Sequence, residues 1–124
     1  MDNITFKIIQ DGRPVFQSDK HWLMPLFDFE DYLTDHPLEL SAVEAHDKII
    51  GKAAALLMIR LGIGSAHAEV MSRLARAVFE RAAVYFTYTT LVDRIDCQTE
   101  EILLDINDPE LAYQILYKRA HPAA

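Results

Sequence analysis

The sequence predicts an α/β fold: a β-hairpin followed by αβαβαβ, folded around a mixed five-stranded sheet. Three observations predict it. The pair Asp11-Gly12 lies between two extended apolar stretches, one of the better hairpin signals in any chain. From Leu40 to Thr90 the hydrophobic period switches back and forth between two and about 3.6. Between Ala42 and Gly62, AVEAHDKIIGKAAALLMIRLG reads as a short apolar strand, a polar step at His46-Asp47, and a long apolar helix stopped by glycine.

Taken in order, Ile4, Phe6 and Ile8 alternate with Thr5 and Lys7 as in a half-buried strand, and Arg13 to Ser18 returns beside it. Pro14 cannot donate to a ladder, which sends the second strand to an edge. Trp22 to Leu33 is amphipathic, with Pro25 near its start and Asp28, Glu30 and Asp31 outward. After the turn Thr34-Asp35-His36-Pro37, a strand is expected over about Leu40 to Ala45. Asp47 then reads as the N-cap of the long helix, whose inward face is Ile49, Ile50, Ala53, Ala54, Leu57, Met58 and Leu61. Ser65 to Met71 alternates again, and Ser72 caps a helix reaching about Arg81 with Leu74, Ala75, Val78 and Phe79 inward. Val84, Phe86 and Tyr88 mark a further strand. Thr99 is expected to cap a short helical segment through Leu104, and Asp108-Pro109 starts a final helix. Right-handed crossovers make the last three strands parallel.

With 124 residues and 51% hydrophobic content, the chain is expected to form one domain, 1–124, with a core over about 3–90 and a C-terminal helical extension over 98–119. A net charge of −7 offers no basic field for a phosphate backbone, so general nucleic-acid binding is disfavoured. The opening MDNITFKIIQDG lacks the pattern of a signal peptide. The longest apolar run, Ala53 to Ile59, falls short of the roughly 20 residues a membrane span needs. A single cysteine, Cys97, excludes an internal disulfide and fits a reducing, cytoplasmic setting. This composition is compatible with a homo-oligomer.

Residues that carry chemistry cluster at the predicted strand-helix junction. On a helix, Lys48 and Lys52 would share one stripe in the first turns, where the dipole disfavours cations and a bound anion would relieve them. Asp47, Lys48 and Lys52 are therefore the candidate ligand-binding residues. His67-Ala68-Glu69 matches half of the zinc deaminase signature, but downstream Asp96-Cys97-Gln98-Thr99-Glu100 lacks the proline and second cysteine of the other half. One His and one Cys are too few ligands for a catalytic zinc, so no metal or other cofactor is assigned. Cys97 is the sole thiol nucleophile available, although Asp93, Asp96, Glu100 and Glu101 oppose its ionisation.

The run Ala45 to Ala55, the later Val70-Met71-Ser72, Tyr88-x-x-Leu91-Val92, and Cys97-Gln98-Thr99-Glu100 followed by Asn107-Asp108-Pro109-Glu110 resemble a bacterial family of small proteins known only as a domain of unknown function. The resemblance covers about Asp11 to Arg119 and implies a cytidine deaminase-like fold with three layers, α/β/α. In that fold the zinc signature opens the two helices after the third and fourth strands. Here those places hold Ala45-His46-Asp47-Lys48 and Met71-Ser72-Arg73-Leu74, so the zinc ligands are absent. The family pattern Cys-Pro-x-Glu is met by Cys97 and Glu100 but not by Gln98.

Two functions are weighed. One is a zinc-less module binding a small anionic or nucleotide-like ligand at the junction 45–52. The alternative is a zinc-independent enzyme with Cys97 as nucleophile, Asp47 or Glu100 as base, and a lysine nearby.

Overall fold

The computed structural model describes residues 3–95 and 98–122. The hairpin forms as expected: β1 (Phe6–Gln10) turns into β2 (Arg13–Ser18) through Asp11 and Gly12, with φ of 53° and 78°. Both residues are left-handed, as a two-residue hairpin turn requires. Next comes α1 (Met24–Asp35), with Pro25 in its first turn. Two successive strand-helix-strand units follow, built from β3 (Glu44–Ile50), α2 (Lys52–Leu61), β4 (Ser65–Ser72), α3 (Arg73–Arg81) and β5 (Tyr85–Val92). The short α4 (Gln98–Ile102) and then α5 (Pro109–Ala120) come last.

The sheet order is β2-β1-β3-β4-β5. β1 is antiparallel to both neighbours, while β3, β4 and β5 are parallel. Two rows of the register set its faces. Ile8, Ala45, Ala66 and Phe86 lie side by side under the helices, and the first three are buried. Lys7, His46, His67 and Thr87 form the neighbouring row on the opposite face, where none is buried.

All described helices gather on the first face, because α2 packs against α1, α3, α4 and α5. The three-layer arrangement is thereby corrected to two layers among the described residues. The reason is topological. β3-α2-β4 and β4-α3-β5 step in the same direction along the sheet, and right-handed crossovers then lay both helices on one side.

The junction between β3 and α2 also differs from the expectation. β3 continues through His46, Asp47 and Lys48 to Ile50, so Asp47 caps no helix, and the N-cap of α2 is Gly51, extended at φ −97° and ψ −176°. Ile49 and Ile50 fit the helical spacing of Ala53 and Leu57, yet they are β-branched and pack better in a strand. Ile50 is fully buried, whereas Ile49 is 53% exposed. Leu40–Ala42, expected to open the strand, forms a single 3-10 turn instead.

Every residue of α2 from Lys52 to Met58 is buried, as befits a helix surrounded by the sheet and four other helices. Local end signals behave as expected. Ser72 Oγ accepts from the Ala75 N–H at 3.1 Å, Asp108 accepts from the Glu110 N–H, and Gly62 closes α2 in the left-handed region at φ 88°. Thr99, expected as a cap, instead lies within α4. Leu103, Ala112 and Leu116 from the C-terminal segment are fully buried in the common core, although Leu111 faces outward.

Gly64 is held by close approach rather than by its dihedrals. Its N–H donates to Leu40 O at 3.0 Å, and a Cβ there would stand 2.1 Å from the Ser41 carbonyl oxygen. Gly64→Ala must therefore move backbone. It is expected to lower unfolding free energy by about 2 kcal/mol or more in urea titrations. Gly12→Ala meets no atom within 4 Å and should cost only the left-handed strain, on the order of 1 kcal/mol.

Candidate functional site

A cavity of about 650 Å³ opens beyond the carboxyl end of β3. Asp47, Lys48 and Ile49 of β3 form one wall, and Gly51, Ala53 and Ala54 at the start of α2 form another. The loop from β2 to α1, Asp19 to Leu23, closes the near side, and Ile95, Thr99 and Glu100 close the far side. Thr5 pins the near loop in place. Its hydroxyl donates to the carbonyls of Ser18 and Lys20.

The far side is fixed by Glu100, which is 1% exposed. Its Oε2 accepts from the Lys52 N–H at 2.8 Å and from Ser72 Oγ at 2.6 Å, while Oε1 accepts from the Ile95 N–H at 2.7 Å. One carboxylate thus serves the first N–H of α2, the cap of α3 and the segment after β5. It occupies the spot at the positive end of α2 where an external anion was expected. Gly51 stands so close that a Cβ would meet Glu100 Oε2 at 3.2 Å.

The two candidate lysines separate. Lys48 lies on the strand, lines the cavity and makes no ion pair among the described residues. Lys52 is 3% exposed and its Nζ donates to Leu103 O at 2.6 Å and Leu104 O at 3.1 Å, away from the cavity. It satisfies carbonyls just beyond α4. Burial pulls its ammonium below the ordinary lysine range, with the Arg81 charge adding to the effect. The shared helical stripe is therefore corrected: one lysine faces the cavity and the other is structural.

Asp47 is partly buried on the helix-covered side of the sheet, and no ion pair reaches it among the described residues. Desolvation raises its pKa from 3.8 to about 7, against the opposing pull of the Ile49 and Lys48 N–H groups. A carboxyl that changes charge near neutrality can hold a proton, release it or accept hydrogen bonds, according to what arrives.

His67 and Glu69 lie on β4, as read from the sequence, and away from any helix start. His67 Nδ1 is 2.7 Å from Thr87 Oγ1, and its ring lies 5.4 Å from that of His46 on the open face. Among the described residues no group of three or more His, Cys, Asp or Glu could hold a metal ion. Cys97, the candidate nucleophile, lies outside the described residues. Sequence reading missed Trp22 as a cavity residue, because it placed Trp22 at the start of the helix, whereas α1 begins at Met24 and leaves Trp22 in the preceding loop.

The family model described as TM1506, domain of unknown function (DUF1893), matches residues 2–119. The chain belongs to the DUF1893 family. A crystal structure of a DUF1893 family protein (TM1506) from Thermotoga maritima is similar to this DUF1893 chain with a TM-score of 0.82 and 23% identity, covering 94% of this chain and 81% of that one. At that identity the likeness concerns the fold alone. No curated protein matches the sequence. No described helix of this DUF1893 member is long and apolar enough to cross a membrane.

Two consequences can be measured on the protein itself. Glu100→Gln keeps the shape but replaces one acceptor oxygen by a donor, where two buried donors and one partly buried N–H converge. A loss of about 3 kcal/mol or more in denaturant unfolding is expected. Asp47 acts in the opposite sense. Its folded pKa of about 7 exceeds 3.8, so the folded state holds the proton more tightly, and stability falls as pH rises from about 4 to about 7. Asp47→Asn should therefore raise stability by on the order of 2–4 kcal/mol above pH 7 and leave it unchanged below pH 4. Thermal melts of both proteins across that range check the sign.

Proposed function

We propose that this DUF1893 protein is a binding module for a small anionic or nucleotide-like molecule, held in the cavity beyond β3. The single observation that supports the reading is the cavity itself. It sits where parallel strands present their carboxyl ends, the position at which open α/β sheets take ligands. Its size suits a drug-sized or nucleotide-sized molecule. Lys48 supplies a cation with no ion pair among the described residues on one wall, and Asp47 supplies a carboxyl able to accept N–H donors on the same wall. The α2 N-terminus contributes less than a free helix end would, because Glu100 already takes its first N–H.

A second reading, a zinc-independent enzyme, is favoured by the near-neutral pKa of Asp47, which suits a general acid or base. In that reading Cys97 is the nucleophile and Asp47 its base. Glu100 serves poorly as a base, since three donors already engage it.

Thermal-shift measurements with nucleoside 5′-monophosphates and inorganic phosphate at millimolar concentration test the first reading. A melting temperature raised by about 4 °C or more is expected for the preferred compound, with the rise lost in Lys48→Met. No rise with any of them, or an equal rise in the variant, would defeat it. Alkylation of Cys97 by iodoacetamide at pH 7 no faster than that of a free cysteine would remove the second.

A further inference from the structure

Resting on that reading of the cavity, we propose that Trp22 is a stacking platform for a planar nitrogen heterocycle whose two adjacent N–H donors, as on the edge of guanine, face the Asp47 carboxyl group. Trp22 lines the cavity and is 43% exposed. Among the described residues its indole has no ring contact and no hydrogen bond. A tryptophan placed for packing would be covered. Its backbone is left-handed at φ 60°, a conformation a bulky residue adopts only at a cost and when the surroundings impose it. Strain of this kind concentrates where a side chain must be aimed. Ile49, 53% exposed, lines the same cavity, so two apolar surfaces are left bare at one opening. A flat ring covers such surfaces and leaves its polar edge free.

The charges around the cavity then decide which edge fits. Lys20 is held by Asp28 at 2.7 Å, and Glu100 is held by three donors. Asp19 lies on the near loop close to Lys20, so Asp47 and Lys48 are the charged residues of the β3 wall that read the ligand. A carboxylate presents two acceptor oxygens in one plane and pairs best with two parallel N–H donors. A guanine edge offers two. A uracil edge offers one N–H between two carbonyls, whose oxygens would face the carboxylate and be repelled. Lys48 is then free for a phosphate or ribose oxygen.

The chain has one tryptophan, so its emission reports on this residue alone. Titration of the full chain with guanosine 5′-monophosphate at pH 8, corrected for absorption with free tryptophan, is expected to quench the emission saturably. Uridine 5′-monophosphate should bind at least about tenfold more weakly, and Asp47→Asn should erase most of that preference. Trp22→Ala, followed by equilibrium dialysis, should weaken guanosine 5′-monophosphate binding about tenfold or more. Lys48-dependent thermal stabilisation by nucleotides without quenching, or with equal affinity for the two compounds, would overturn this inference and leave the cavity reading intact. Absence of any stabilisation by any nucleotide or phosphate would overturn both. Trp22→Phe keeps a ring at the site and guards against misfolding of the alanine variant; retained affinity in Trp22→Phe beside lost affinity in Trp22→Ala supports stacking, whereas full affinity in both overturns it.

Discussion

The carboxylate of Glu100 is the constraint on which the rest of the molecule depends. Three segments that are remote in sequence converge on its two oxygens: the start of α2, the start of α3 and the stretch after β5. Each arrives at the carboxyl end of a parallel strand, where a chain leaving a sheet has unsatisfied N–H groups. A buried carboxylate answers three of them at once. Lys52 completes the arrangement from the other side, with its N–H on Glu100 and its ammonium on carbonyls just past α4. The cavity exists because its far wall is held at this distance from the loop that Thr5 holds on the near wall.

The same arrangement separates what can bind from what can only support. Glu100 on the cavity's far side and Lys52, whose ammonium points away from it, are charged, yet both are engaged by partners within the protein. Among the described residues, Asp47 and Lys48, adjacent on one strand, make no ion pair. Desolvation of Asp47, with no ion pair to it among the described residues, destabilises the protein above neutrality. Instability is thus stored at the cavity wall.

Much of the fold was legible because its signals are local. Asp11-Gly12, Gly62, Ser72 and Asp108 each act within a few residues, and each does in the structure what its chemistry suggests. The β3-α2 boundary was not legible, since Ile49-Ile50 satisfies a helical and an extended pattern alike and only tertiary pairing with Val70 and Met71 selects the strand. That error carried Asp47 and Lys48 onto the wrong element, while both still came to line the cavity. Glu100 lies 48 residues from the N–H it accepts, and no short-range pattern announces such a contact. The left-handed backbone of Trp22 has no sequence signal at all. The three-layer expectation came with the family resemblance, whereas the handedness rule, applied to two steps in one direction, places both crossover helices on one face.

One-sided coverage of the sheet shapes how this chain can change over generations. Ala45, Ala66 and Ala68 lie directly beneath the helical layer, where an added methylene has no space to enter. Their neighbours His46, His67, Thr87 and Thr89 look outward, where size and polarity are nearly free. Drift in the central strands is therefore channelled to alternate positions, and a lineage could redecorate the open surface at the cost of a few side-chain contacts such as His67 with Thr87, leaving the core beneath the helices untouched.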